Sequence, residues 1–262
     1  MGGQNNSQEL IIKKDGPVWR VILNRPEKKN AINDEMFAAL KRLAEEITSD
    51  PNLCRVVVFS GAGDVFCSGG DLKTLMGGGY GGDISAVRNE FRGLQRILDQ
   101  VEGMPVPTIA AIHGYALGAG LQLALACDFR IAAEDAMLGL PDVKNGFIPG
   151  IGATTRLPRL IGLARAKELL LMGTNIDAKK ALDFGLVNAA VPLDELEPAV
   201  EEWCSRLIRR APMAVAAGKY LLNTWADLEE TADVQMKLLS SEDAKEGVTA
   251  FFERRAPVFK GK

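Results

Sequence analysis

The apolar and polar positions in the first part of the chain follow two different periods. Apolar runs at residues 10–14, 18–23 and 56–60 have the length and the flanking turn residues of β-strands. Residues 34–48 instead place apolar side chains three and four positions apart, which predicts an amphipathic helix with Asn33 as its N-cap. Strands and helices that alternate in this way are typical of an α/β protein.

A glycine-rich turn follows the apolar strand predicted at residues 106–112. Gly114, Gly118 and Gly120 supply this turn, and an apolar helix is predicted at residues 119–126. A glycine turn that opens a helix aims backbone N–H groups and the positive end of the helix dipole at one point, where an oxyanion or a phosphate can bind. Such turns also occur where a helix packs closely against a strand, so close packing stays open as a second interpretation.

A second glycine turn lies earlier in the chain, at Gly69 and Gly70. Asp71 follows it and is interpreted as the first-turn acid of another helix, since a carboxylate is favourable at a helix N-terminus. Two such turns can place two N–H donors around one carbonyl oxygen, which is the geometry that stabilises an enolate. Residues 76–83 hold five glycines and are predicted to form a mobile loop, with Tyr80 as one residue of a lid.

The carboxyl-terminal part of the chain has a helical pattern. Gly162 is predicted to break one helical stretch and Gly173 to end it. Further along, helices with apolar stripes are predicted at residues 193–210, 212–226 and 229–255. We therefore expect an α/β core at residues 1–195 and a helical region at residues 196–262.

Composition limits the kinds of partner. The chain has 262 residues, 47% of them hydrophobic, but no apolar run approaches the roughly 20 residues that a bilayer requires. Its 31 basic and 34 acidic residues give a net charge of −3 without long blocks of one sign, which argues against nucleic acid or an anionic membrane as a partner. The start of the chain has no signal-peptide pattern and its four cysteines lack metal-ligand spacing, so a cytoplasmic location is expected. Because His113 is the only histidine, we expect no metal site.

Four blocks of the sequence resemble those of one enzyme family. In chain order they are NRPEKKNAIN, GAGDVFCSGGDL, HGYALGAGLQLALACD and LPDVKNGFIPGIGATTRL. They are similar to the crotonase superfamily of enoyl-CoA hydratases and isomerases, and the resemblance runs from about Leu10 to the carboxyl end. It implies a crotonase-like spiral of ββα units whose C-terminal helices assemble a homotrimer or a homohexamer, a dimer of trimers. It also implies an acyl-CoA thioester as substrate and no separate cofactor, because coenzyme A is part of the substrate.

The resemblance also assigns roles to residues near the two turns. It makes the N–H groups of Gly70 and Ala119 the oxyanion hole. The loop NRPEKKNAIN flanks the nucleotide end of coenzyme A in the family, so Lys28 is expected to meet its phosphates, with a solvated surface lysine as the alternative. The full set of substrate-binding residues expected in this way is Lys28, Ser68, Asp71, Leu72 and Lys73.

Two positions depart from the family pattern, and both concern proton transfer. Hydration of an enoyl thioester needs one group to activate water and another to protonate the α-carbon, and hydratases usually use two glutamates. This sequence has Gln122 and Asp142 at those positions. Gln122 cannot exchange a proton, although its amide can orient a water by donating one hydrogen bond and accepting another. Asp142 keeps a carboxylate on a side chain that is one methylene shorter.

These residues leave three functions open. The first is an enoyl-CoA hydratase-type lyase that works through an enolate held in the oxyanion hole, on a dienoyl, cyclic or branched acyl group. The second is an enoyl-CoA double-bond isomerase, because a single carboxylate such as Asp142 can remove a proton and return it to another carbon. The third is a non-catalytic acyl-CoA binder, against which the two glycine turns argue.

Overall fold

Two β-sheets carry the fold, and the chain alternates between them. The structure is a computed structural model that describes residues 9–71 and 84–262. The larger sheet has the strand order β1-β2-β3-β4-β6-β9, and the smaller sheet has the order β5-β7-β8. In chain order the strands are Leu10–Asp15 (β1), Val18–Leu23 (β2), Val56–Gly61 (β3), Thr108–Ile112 (β4), Tyr115–Leu117 (β5), Phe129–Ala133 (β6), Met137–Gly139 (β7), Asn175–Asp177 (β8) and Ala189–Val191 (β9).

The larger sheet is parallel except at one edge. Strands β1 and β2 form an antiparallel hairpin in which Leu10 pairs with Leu23, while the remaining neighbours pair in parallel. Strand β4 is buried along its whole length, as expected for an apolar strand covered on both faces. Ligands of parallel sheets bind beyond the carboxyl ends of the strands, so the segments that follow β3 and β4 are the place to search for a site.

Each repeat of the spiral passes through the larger sheet and then through the layer of the smaller sheet. Strand β4 leads directly to β5, and β6 leads directly to β7. A β-bridge between Cys67 and Ala116 adds the segment after β3 to the smaller sheet's layer. The repetition of a strand in the larger sheet, a strand in the smaller layer and a helix is the spiral of ββα units expected from the sequence.

The described residues form nine α-helices. They are Asp34–Ser49 (α1), Ile84–Glu102 (α2), Ala119–Ala126 (α3), Ala153–Met172 (α4), Ala178–Phe184 (α5), Leu196–Ile208 (α6), Pro212–Thr224 (α7), Leu228–Leu239 (α8) and Glu242–Glu253 (α9). The Asn33 side chain caps α1 as predicted, accepting a hydrogen bond from the Met36 N–H at 3.1 Å. Gly162, with φ of 75°, breaks α4, and Gly173 ends it in the left-handed conformation, as predicted.

Two parts of the helical pattern differ from the prediction. Helix α2 is not among the predicted elements, although its apolar residues have helical spacing. The stretch predicted as helical at residues 229–255 is two helices, α8 and α9. The break occurs because the Ser241 hydroxyl accepts a hydrogen bond from the Ala244 N–H at 3.0 Å and so caps a new helix.

The C-terminal helices meet the core in different ways. Helix α6 packs on the larger sheet, where the Trp203 ring meets the Phe129 ring edge-on at 5.1 Å. Helix α7 is attached through Lys219, whose ammonium group lies 2.7 Å from the Asp128 carboxylate. That carboxylate also accepts a hydrogen bond from the Thr108 backbone N–H at 2.7 Å. The boundary between residues 195 and 196 stays a prediction.

Large apolar side chains of the last three helices face outward. Five of them are more than 70% exposed, namely Leu222, Trp225, Leu228, Phe251 and Phe252. Large apolar side chains exposed in this number are consistent with a protein–protein contact. No helix among the described residues has the length and apolar composition needed to cross a bilayer.

Candidate active site

The two glycine turns predicted from the sequence touch each other. Gly118 has φ of 50° and ψ of −119°, a conformation that residues with a side chain rarely adopt. A Cβ atom placed on Gly118 would lie 3.7 Å from the Gly69 Cα, so the turns are in van der Waals contact. A Cβ atom on Gly120 would come within 2.6 Å of the Cys67 Cβ. Helix α3 therefore packs on the Cys67 segment at a separation that only glycine permits.

The candidate oxyanion donors Gly70 and Ala119 both line one cavity. The Gly69 carbonyl accepts a hydrogen bond from the Ile32 N–H at 2.9 Å, and the Asp71 N–H donates to the Ile32 carbonyl at 2.8 Å. The Gly70 N–H shares one trans peptide group with the Gly69 carbonyl and points in the opposite direction, so it is directed away from Ile32. Ala119 is the first residue of α3, and its N–H has no acceptor within the helix. That the two N–H groups converge on one oxygen stays a prediction.

The cavity brings together most of the residues expected to do chemistry. It has a volume of about 270 Å³. Its described lining residues are Ile32, Asp34, Phe37, Ser68, Gly69, Gly70, Glu90, Phe91, Leu94, Gly118, Ala119, Gln122, Pro141, Asp142, Asn145, Phe147, Ile148, Gly150 and Ile151. Of the predicted set, Lys28 and Asp71 are not among them, and Leu72 and Lys73 lie outside the described residues.

Asp142 presents a carboxylate with one oxygen that has no hydrogen-bond donor among the described residues. It lies in a short 3-10 helix, Pro141–Asn145, and its carboxylate oxygens would be 3.6 and 3.7 Å from a Cβ atom placed on Gly118. Its Oδ2 atom is buried without a hydrogen-bond donor in the described part of the chain. Burial raises the pKa of the Asp142 carboxyl, and a hydrogen bond from its own backbone N–H opposes part of that rise. A raised carboxyl pKa beside a turn rich in N–H donors is a common property of proton-transfer sites.

Gln122 is 2% exposed and holds the start of helix α4. Its Oε1 atom accepts hydrogen bonds from the Ile151 N–H at 2.9 Å and from the Ala153 N–H at 3.3 Å. Gly152, between them, has no side chain with which to cap the helix. The expectation that the amide both donates to and accepts from a water therefore needs correction. The oxygen is occupied, and only the Nε2 group, without an acceptor in the described part of the chain, remains to donate.

The loop expected to meet coenzyme A is fastened to the second glycine turn. Lys28 is exposed in the 3-10 helix Pro26–Lys28. The next residue, Lys29, accepts a hydrogen bond through its carbonyl from the Ser68 N–H at 3.0 Å. The buried side chain of Asn30 donates to the Val65 carbonyl at 2.7 Å, which fixes the loop further. Lys28 thus stands on a positioned loop beside the cavity wall that Ser68 contributes.

Asp71 has a different neighbourhood from the one expected for a first-turn acid. Its carboxylate Oδ2 accepts a hydrogen bond from Arg25 Nη1 at 3.0 Å, and Asp71 itself is not helical. The same arginine pairs with Glu9 at 3.2 Å. The residues that would continue the helix, and Tyr80 of the predicted lid, lie outside the described residues. The hydrogen bond between Asp71 and Arg25 therefore links the glycine turn to the segment that follows β2.

Several cavity residues are absent from the sequence-based set. Among them are Asp34 and Phe37 on α1, Glu90, Phe91 and Leu94 on α2, and Phe147. The helical spacing of apolar residues in α2 is a signal from which its inward face could have been predicted. Nothing in the local sequence marks Asp34 or Glu90, because each reaches the cavity only through the packing of its helix.

Comparisons with known proteins agree with this geometry. The model of the enoyl-CoA hydratase/isomerase family matches residues 13–262. The chain therefore belongs to the enoyl-CoA hydratase/isomerase family. An enoyl-CoA isomerase/hydratase from Mycosarcoma maydis is 39% identical over 259 residues, which cover 94% of this chain and 93% of the relative. A crotonyl-CoA hydratase from Syntrophomonas wolfei is 34% identical over 261 residues, which cover 96% and 98% respectively. The crystal structure of an enoyl-CoA hydratase from Bacillus anthracis matches with a TM-score of 0.89 at 37% identity, covering 97% of this chain and 100% of that one.

The relatives in this family are named as hydratases and isomerases, so this chain is an enzyme of the enoyl-CoA hydratase/isomerase family. The sole histidine, His113, is not among the cavity residues, and its Nε2 atom lies 3.0 Å from the Gly63 carbonyl oxygen. That contact is a structural hydrogen bond. The ionisable residues that line the described part of the cavity are carboxylic acids, namely Asp34, Glu90 and Asp142.

The raised pKa of Asp142 predicts a pH-dependent gain in stability for Asp142→Asn. A carboxyl with a raised pKa in the folded state favours folding below its unfolded pKa and loses that contribution as pH rises through the folded pKa. The amide side chain of the Asp142→Asn variant is neutral at every pH, so the variant does not lose stability in this way as the pH rises. Thermal unfolding at pH 7 and at about pH 4 should show the variant more stable than the native chain at pH 7 and the difference smaller at the lower pH.

The matched control for this measurement is Asp135→Asn, at an exposed position outside the cavity. Its difference from the native chain should not follow the same trend with pH. An Asp142→Asn chain that is less stable than the native chain at pH 7 contradicts the burial argument.

Proposed function

We propose that this family member is a hydratase-type lyase that adds water to the double bond of an enoyl-CoA thioester, or removes it in the reverse direction. The observation that carries the proposal is the pairing, in one cavity, of a buried unpartnered Asp142 oxygen with a Gln122 amide that can only donate. The donating amide supports the oxygen of a water, while the carboxylate accepts its proton. Family relatives named crotonyl-CoA hydratase and enoyl-CoA isomerase/hydratase support the same class of reaction.

The proposed reaction proceeds through an enolate. The N–H groups of Gly70 and Ala119 hydrogen-bond the thioester oxygen and stabilise the negative charge that develops on it. Asp142 removes a proton from water as the water oxygen bonds to the β-carbon and the π electrons move to the thioester oxygen. The same proton then passes from Asp142 to the α-carbon as the enolate collapses, so that the carboxylate is regenerated. One carboxylate is sufficient for this sequence of steps.

The remaining binding residues are proposed to hold coenzyme A and the acyl chain. Lys28 is proposed to meet the phosphates from its exposed position on the fastened loop. Ser68 is proposed to contact the thioester end from the cavity wall. Asp71 is proposed to act indirectly, through its hydrogen bond with Arg25, and Leu72 and Lys73 remain proposals from the sequence. No cofactor beyond the coenzyme A of the substrate is part of the proposal, and a dienoyl, cyclic or branched acyl group is the proposed substrate.

A second candidate function is double-bond isomerisation. The specific observation in its favour is that Gln122 brings no second acid to the cavity, so Asp142 is the carboxylate next to the glycine turn. A single base can remove a proton from one carbon and return it to another two bonds away. Hydration is preferred because the free amide N–H of Gln122 supplies a place for water.

The proposed compartment is the cytoplasm. All four cysteines are free and buried, and burial raises the pKa of each thiol to about 12. Protonated, buried thiols of this kind fit a reducing compartment. Two relatives are named as mitochondrial, so the compartment of this family varies.

The test of hydration against isomerisation is product identification from simple enoyl-CoA and dienoyl-CoA thioesters. We expect a 3-hydroxyacyl-CoA as the main product. Asp142→Asn should lower turnover on the order of a hundredfold to ten-thousandfold, as loss of one general base does, while acyl-CoA affinity stays close to native. Asp135→Asn serves again as the charge-matched control. A shifted double bond as the main product, or an Asp142→Asn enzyme with more than about a tenth of native turnover, contradicts the proposal.

We also propose that the chain forms a homotrimer, or a homohexamer built as a dimer of trimers, through the exposed apolar residues of its C-terminal helices. Sedimentation at several concentrations should give the mass of three or six chains. Leu228→Glu and Phe252→Glu, at positions 89% and 77% exposed, should lower that mass by placing a charge in the contact. The matched control is Leu163→Glu, which is 61% exposed on α4. Sedimentation of the native chain as a monomer would contradict this proposal.

A further inference from the structure

The described wall of the cavity carries acidic groups and no basic ones. Asp34, Glu90 and Asp142 are its ionisable residues, and no lysine, arginine or histidine of the described chain lines it. Asp142 is committed to the reaction proposed above. Asp34 and Glu90 therefore remain as two carboxylates to which that reaction assigns no role.

Glu90 and Asp34 reach the cavity from helices that do not carry the reacting groups. Glu90 precedes Leu94 by one helical turn of α2, and both residues line the cavity. Asp34 lies in the first turn of α1, whose Phe37 lines the same cavity. The thioester end is positioned by the glycine turns and Asp142, so these two helices supply wall for the acyl group.

Neither carboxylate is neutralised within the described part of the chain. Neither Asp34 nor Glu90 has a hydrogen bond or an ion pair with a described residue, whereas Asp99 and Glu102 of the same helix α2 both pair with Arg156. The other wall groups near them are apolar, including Phe37 and Phe91. Both carboxylates are exposed, so they attract opposite charge and repel like charge with the moderate, salt-dependent strength of charges near a protein surface. Aromatic faces add attraction for a cation.

A second, independent observation indicates that a polar ligand belongs in this cavity. Gln122 is 2% exposed, lines the cavity, and keeps its Nε2 group without an acceptor in the described residues. This group is not among the described side-chain atoms that are buried without a partner, so it opens on the cavity, where a ligand or water can accept its hydrogen bonds. An amide NH2 has two N–H donors, so besides the water of the proposed reaction Gln122 can donate to a polar group of the substrate.

We propose that Asp34 and Glu90 determine acyl-group specificity, favouring an acyl chain whose distal end carries a hydrogen-bond donor, above all an ammonium group, and rejecting one that ends in a carboxylate. The proposal rests on the assignment of acyl-CoA thioesters as substrates and deepens it. Specificity of this kind comes as much from repulsion of the wrong substrate as from attraction of the right one.

The test uses three acyl-CoA thioesters of equal chain length that end in an ammonium, a methyl or a carboxylate group. Their saturated forms measure binding by competition without turnover, and their enoyl forms measure kcat/KM. We expect the ammonium form to bind more tightly than the carboxylate form by on the order of tenfold for each unpaired carboxylate. Asp34→Asn and Glu90→Gln should each shrink this ratio, and the double variant should bring it close to one.

Glu35→Gln is the matched control, because Glu35 is also exposed in the first turn of α1 but does not line the cavity. It should leave the ratio between ammonium and carboxylate forms at the native value. Equal binding of those two forms by the native enzyme, or a ratio that the double variant does not change, overturns the inference. Failure of the proposed function is distinguishable, since the binding order would then persist while no enoyl form is turned over.

Discussion

The close contact between helix α3 and the Cys67–Gly70 segment is the constraint on which the site depends. It exists because Gly120 has no side chain to strike Cys67, and because Gly118 adopts a conformation that disfavours other residues. The contact brings Gly70 and Ala119, the first residue of α3, to one cavity. It also sets the distance to Asp142, whose carboxylate lies against Gly118. A methyl group at Gly120 would clash with Cys67 and separate the turns, whereas one at Gly118 has room but would strain the backbone at its positive φ.

The second feature that determines the geometry of the site is the fixed orientation of the Gln122 side chain. Two backbone N–H groups at the start of α4 hold its amide oxygen, so the side chain has a structural role whatever its catalytic one. Its replacement by an apolar residue would leave those N–H groups unsatisfied in a buried place, at a cost of about 1–3 kcal/mol. Because an amide does not exchange protons, the proposed proton transfer falls to Asp142, whose pKa burial raises. The same desolvation that makes this carboxyl a useful base also makes its charged form unfavourable for folding, a conflict that is common at active sites.

The sequence predicts those parts of the molecule that depend on local pattern. The glycine turns, the N-cap Asn33 and the break at Gly162 follow from the conformations that these residues adopt, and the structure confirms their positions. The bond between Gln122 and Ile151 could not be predicted, because it joins residues 29 positions apart and depends on how α3 and α4 pack. The same holds for Asp71 and Arg25, which are 46 positions apart. Local pattern placed Asp71 in a helix, while tertiary packing gave it an arginine partner.

The acidic wall could not be predicted for a related reason. Asp34 and Glu90 are surface acids by every local criterion, and both are exposed on their helices. Their shared access to the cavity arises only when α1 and α2 fold over the glycine turns. Residues proposed to set specificity can be identified only from the folded cavity wall. Residues proposed to perform the chemistry can also be identified from the sequence, because they lie at or beside glycine turns.

The central claim is that a single carboxylate, Asp142, transfers the proton. The pH dependence of kcat for a neutral enoyl-CoA tests it directly, because this profile reports the groups that ionise in the enzyme–substrate complex. The account predicts one acidic limb, in which kcat falls as pH drops through a pKa above that of an ordinary aspartate. This limb should persist in Asp34→Asn and Glu90→Gln. A profile without an acidic limb, or one whose limb disappears in Glu90→Gln, would contradict the assignment of proton transfer to Asp142.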